Sequence, residues 1–184
     1  MSKITAISGR VLYNSRGSKT IEVDVTTDGK YQGRVCAPSG ASVGKFEAVS
    51  FPNNSPEESF SILNENLDKF IGVDSSDLKQ VHNVIRSIDE TENYAMIGGG
   101  CAFAITIAAT ESAAKAENKQ FFQMISNKND LKFPFPLGNI LGGGAHAGPG
   151  TPDIQEILVA SIGAKTVRES IDMNLQVHKE LKKL

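Results

Sequence analysis

Hydrophobic and polar residues alternate through the first forty positions. Ile21, Val23 and Val25 interleave with Glu22, Asp24 and Thr26, the two-residue period of a strand with one buried face. Asp28-Gly29 follows. A type I′ turn needs positive φ at both central residues, which Asp and Gly tolerate, so a hairpin is predicted there. Tyr31, Gly33, Val35 and Ala37 continue as the return strand, and residues 4–12 supply a third. The three form an antiparallel meander.

The period then changes. Pro38-Ser-Gly-Ala-Ser-Val-Gly44 is too small and polar to build a core and reads as a loop. Ser55, with Pro56 behind it and Glu58 three residues on, carries the signature of a helix start. Phe60, Leu63, Leu67 and Phe70-Ile71 then recur at helical spacing, as do Leu78, Val81, Ile85 and Ile88. An alanine-rich helix spans about 99–117, its small side chains suiting a tightly packed central position, and Phe121-Phe122 open a short one. Phe133-Pro-Phe-Pro136 is extended, because each proline disfavours helical backbone before it. A second glycine-rich loop, Gly142 to Gly150, precedes a strand over 154–162. Thr166 and Glu169 begin a last helix carrying Val167, Ile171, Leu175 and Leu181. The order predicts an α+β domain over residues 1–125 and the opening of a second body over 133–184. That last strand and helix are too little to bury their own apolar faces.

Composition narrows the function. Apolar residues make up 40% of the 184 and charged residues 22%, an ordinary balance for a globular protein. A net charge of -2 gives no general attraction to nucleic acid or anionic lipid. No apolar run approaches a membrane span, and the opening Met-Ser-Lys-Ile-Thr lacks a secretory core, so a cytoplasmic protein is expected. Cys36 and Cys101 sit among apolar or small residues and show no metal-ligand spacing, which predicts two reduced thiols.

The chemistry concentrates in the two glycine-rich loops. Backbone N–H groups of such loops can cradle phosphate or carboxylate oxygens, although surface turns look the same in sequence. Neither loop matches a nucleotide P-loop, and Gly98-Gly-Gly100 reads as close packing at a helix start. His146 lies inside the second loop between small residues that give it no packing role. His82 and His178 read as surface residues. Gln155-Glu156 opens an apolar strand. A carboxylate there is either functional or salt-bridged, since an unpaired buried charge is costly.

Together these segments resemble the enolase family in collinear order. The resemblance rests on Ser15-Arg16-Gly17 with Thr20 and Glu22-Val23, and on Pro38-Ser-Gly-Ala-Ser42 with Gly44 and Glu47-Ala48. It continues through Ile97-Gly98, Pro134-x-Pro136, Asn139-Ile-Leu, Gly143-Gly144, His146-Ala-Gly148, Gln155-Glu156 and Gly163-Ala164. It implies an amino-terminal three-stranded meander followed by helices, then the first strand and helix of an incomplete α/β barrel. The implied reaction is the magnesium-dependent interconversion of 2-phosphoglycerate and phosphoenolpyruvate by a homo-oligomer.

By the same resemblance, Glu156 is a catalytic carboxylate near the departing hydroxyl. His146 and Gln155 contact substrate, Ser42 ligates a magnesium ion, and Glu22 lies at a dimer interface. The lysine base and the main Mg2+ carboxylates match no residue of 1–184, so the chain alone is expected to be inactive. Asn14, Ser18-Lys19, Val43, Gly100, Gly142, Ala145 and Ser161 depart from the family's usual residues. Two other readings use the same features: a short enolase-like binding or structural module, and a phosphate binder without turnover.

Overall fold

The structure is a computed structural model that describes residues 2–40, 43–126, 128, 130–144 and 147–183. It divides into two compact units, Met1–Asn127 and Lys128–Leu184.

The first unit opens with β1 (Ile4–Tyr13), β2 (Lys19–Thr27) and β3 (Tyr31–Cys36), an antiparallel sheet in that order. Val23 faces Gly9 on one side and Val35 on the other, so the alternation seen in sequence sets the register. Ile21, Val23 and Val25 are fully buried on one face. The turn has Asp28 at φ 52° and Gly29 at φ 67°, as expected, but Lys30 extends the connection to three residues.

Helices α1 (Pro56–Asn64), α2 (Leu78–Ile88), α3 (Gly99–Ala116) and α4 (Phe121–Ile125) follow. The Ser55 hydroxyl accepts from Glu58 N at 3.2 Å, which satisfies one free amide of α1. The single helix expected through residue 71 is two pieces. Asn66 Nδ2 donates to Ile62 O at 2.8 Å, ending α1, and a 3-10 turn over Leu67–Phe70 follows. Helix α3 lies against β2 and β3. Its buried Ala104, Ala108 and Ala113 allow close approach to the sheet. Gly98 enters α3 at φ 85°, and a Cβ there would stand 2.7 Å from Ser50 O, so its role is close packing.

Buried polar groups tie this unit together, although the Ser59 hydroxyl of α1 has no partner. The Thr27 hydroxyl lies 2.7 Å from Ser112 Oγ and 3.0 Å from Ser75 Oγ, joining β2 to α3. Asp89 caps the end of α2 and is 0% exposed. A carboxylate opposes the helix dipole there. Its oxygens accept from Thr91 N and Oγ1, Met96 N and Ile97 N at 2.5–3.0 Å. Burial pushes the carboxyl up, but these hydrogen bonds outweigh it and hold it below its ordinary value. Asp89→Asn should therefore cost about 2 kcal/mol at neutral pH, because an amide nitrogen would meet amide donors. Since the folded value is depressed, this stability is complete above the unfolded value of about 3.9 and is lost as pH falls through the folded one. Urea midpoints of parent and variant should converge toward low pH; a constant gap would refute this origin.

The outer face of the sheet is ionic. Arg10 pairs with Glu22 and, at 3.1 Å, with Asp24; Arg34 reaches the same two carboxylates. Cys36 lies here, exposed, which corrects the apolar surroundings expected for it. Its thiol donates to Glu22 Oε2 at 3.1 Å. Partial burial and this carboxylate push it up to about 11, so it stays protonated. Cys101 is buried, which raises it to about 12. Both are free thiols.

The second unit contains β4 (Leu137–Gly142), β5 (Glu156–Ala160) and α5 (Val167–Leu181). Strand β4 is missing from the sequence-based expectation, because Gly138 and Asn139 are poor strand formers. Antiparallel pairing with β5 makes the strand. Strand β5 is correspondingly shorter than the expected 154–162. Thr166 Oγ1 caps α5 by accepting from Glu169 N at 3.1 Å. Ser161 Oγ donates to Asn174 Oδ1 at 2.6 Å, and Asn174 Nδ2 donates to Pro136 O at 2.9 Å, tying strand, helix and linker. Ile157, Leu158 and Leu175 remain 44%, 45% and 53% exposed. Among the described residues no helix is long and apolar enough to cross a membrane.

Candidate functional site

The first loop leaves β3 at Ala37, whose amide is held by Ile21 O at 2.8 Å. Asn14 holds the preceding turn through Arg16 N and Ser18 N, and its Nδ2 donates to Ser39 Oγ at 3.0 Å. The loop returns through a turn closed by Gly44 N on Glu47 Oε1 at 2.8 Å. Beyond it, Val49 N donates to Asn93 O, and Gly99 N and Gly100 N donate to Val49 O and Ser50 O. Both ends of the loop are thus anchored to the rigid part of the first unit. Ser42, the expected metal ligand, lies outside the described residues, and Val43 is exposed.

The second loop is folded onto its own stem. Gly143 N donates to Gln155 O at 2.8 Å, and Gly144 N to Pro152 O at 2.7 Å. A Cβ on Gly143 would lie 2.4 Å from Ile154 O and 2.5 Å from Pro152 O, both backbone atoms. Gly143→Ala should open this stem at a cost of about 1–2 kcal/mol, confined to the second unit. Hydrogen exchange would show it as lost protection at Gly143 and Gly144 with α3 unchanged; retained protection would count against it.

The stem brings Gln155 and Glu156 together with Asn139, Gly142 and Ala147 around a cavity of about 320 Å³. Glu156 begins β5 and is exposed, so its carboxylate avoids the burial cost that a core strand would impose. Asn139 is the residue that sequence reasoning left unassigned. The β4–β5 register shifts between Asn139 and Leu141, and such irregularities re-aim side chains beside functional sites. Its sequence signals are its place in the Asn139-Ile-Leu motif and its polarity inside an apolar run. The expected substrate contact His146 lies outside the described residues. Glu22 sits on the outer face of the first sheet between Arg10 and Arg34. His82 and His178 are exposed, as expected, although His82 Nε2 lies 2.6 Å from Tyr94 Oη.

Among the described residues no three His, Cys, Asp or Glu converge to hold a metal ion. Hard divalent cations prefer several oxygen ligands at once.

Residues 4–125 match the family model of the enolase amino-terminal domain. The chain belongs to the enolase family. Residues 130–184 match the family's carboxy-terminal TIM barrel domain. Curated relatives agree. Proteins named enolase from Methanosphaera stadtmanae and Halorubrum lacusprofundi are 38% and 40% identical over 182 and 180 residues, covering 98% and 97% of this chain. Enolase 2 of Pseudomonas syringae pv. syringae is 33% identical over 190 residues, covering 98%. The chain spans 44% of the length of each of these three relatives. The three-stranded meander and the helices that follow it are present, and among the described residues the barrel segment forms no closed barrel.

Proposed function

We propose that residues 1–184 supply the amino-terminal domain and the opening barrel segment of a site that reversibly dehydrates 2-phosphoglycerate to phosphoenolpyruvate. The observation that carries this reading is the cavity in which the second loop, Gln155 and Glu156 meet, in a chain of this family. Hydroxide is a poor leaving group, so dehydration needs a proton delivered to the departing oxygen. Glu156, at the strand end beside this cavity, is the carboxyl group that, once protonated, gives that proton to the departing oxygen. Gln155 supplies an amide that donates and accepts beside it, and His146 and Ser42 complete the contacts to substrate and to magnesium. Glu22 contributes to an interface between copies, and the cytoplasm is the compartment of the reaction.

The family's lysine base and main magnesium carboxylates match no residue of 1–184. The chain alone should then give no turnover. Joining residues 1–184 to the remaining part of the Methanosphaera stadtmanae enolase should restore magnesium-dependent phosphoenolpyruvate formation. A folded, joined protein without turnover would refute the proposal, and robust turnover by the chain alone would refute its incompleteness.

A further inference from the structure

A second cavity, of about 250 Å³, lies between the Phe133–Pro136 linker and the start of α5. Lys132, Phe133, Lys165, Val167 and Ser170 are among the residues that line it. Helix α5 is 15 residues long, so its first turn carries a substantial positive end. The donors there are only partly used. Thr166 Oγ1 takes Glu169 N at 3.1 Å, and Ser170 N donates to Thr166 O at 3.0 Å. The amides of Val167 and Arg168, the first two in the helix, have no intrahelical acceptor.

An independent observation points the same way. Ser170 is 1% exposed, and its hydroxyl has no hydrogen-bond partner. A buried hydroxyl without a partner is destabilising, whereas alanine at the same place would fit the helix at no such cost. Lys132, Lys165, Val167 with its free amide and this hydroxyl all line the cavity, and together they present more donors than the two oxygens of a carboxylate can use. A tetrahedral oxyanion matches them better. The Glu169 carboxylate at the same helix end accepts from Lys165 N at 2.8 Å, which directs one of its oxygens to the backbone.

We propose that this cavity binds a small phosphate-bearing anion, at a site separate from the Gln155–Glu156 cavity. The test is a titration of the 184-residue chain with inorganic phosphate at constant ionic strength, followed by amide NMR shifts. Saturable shifts at Val167, Arg168 and Ser170 are expected, with chloride giving none. Ser170→Ala should weaken binding about fivefold, the effect of one lost hydrogen bond. Lys165→Ala, at an exposed position that does not threaten folding, should weaken it comparably. Shifts that fail to saturate, shifts confined to Gly143 and Gly144, or unchanged affinity in both variants would overturn the proposal.

Discussion

Gly33→Ala should destabilise the first unit by about 3 kcal/mol, a large part of the 5–15 kcal/mol that holds an average domain together. A Cβ at Gly33 would stand 2.0 Å from Ala108 O and 2.8 Å from Ser112 N. Both are backbone atoms of α3, so no rotamer change relieves the clash. The helix must lift from β3, and the burial of Val23, Val25, Ile105 and Ala109 weakens with it. Gly9→Ala is the control. Its Cβ would meet Leu63 Cδ2 at 3.0 Å, the end of a side chain that can turn aside. That variant should lose less than about 1 kcal/mol. Urea unfolding of the two would separate them, and a Gly33→Ala midpoint near the parent's would show that α3 does not depend on this approach.

The second large effect concerns chemistry. In the protein joined to the Methanosphaera stadtmanae remainder, Glu156→Gln should lower turnover by about 10²–10⁴-fold, the range of a lost general acid. Glutamine keeps the size and hydrogen-bonding reach of the side chain but has no proton to give. On the proposed assignment, in which Gln155 and His146 contact the substrate, KM should change little. A rise in KM at unchanged turnover would make Glu156 a binding residue. The substitution should leave folding intact, since Glu156 is exposed at the end of β5.

The two effects were unequally legible. The alternation of Tyr31, Gly33, Val35 and Ala37 puts Gly33 on the core face of β3, but nothing local says that a helix backbone will lie against it. Glu156 is legible as a carboxylate at a strand start. Its companion Asn139 is not, because β4 forms through pairing with β5 and its bulge follows from that pairing. The split after α1 is likewise hidden, since Asn66 competes for the Ile62 carbonyl inside a run whose apolar spacing continues.

Sequence by itself determined the meander, the positions of α2 and α3 and the family, because period, turn chemistry and collinear motifs are local properties of the chain. It also marked Gln155 and Glu156 at the start of the strand that follows the second loop. The tertiary structure alone decided the contact of Gly33 with α3, the four donors on Asp89 and the orphan hydroxyl of Ser170. Each depends on which distant backbone groups arrive within hydrogen-bonding or van der Waals distance, and residue spacing along the chain does not encode that.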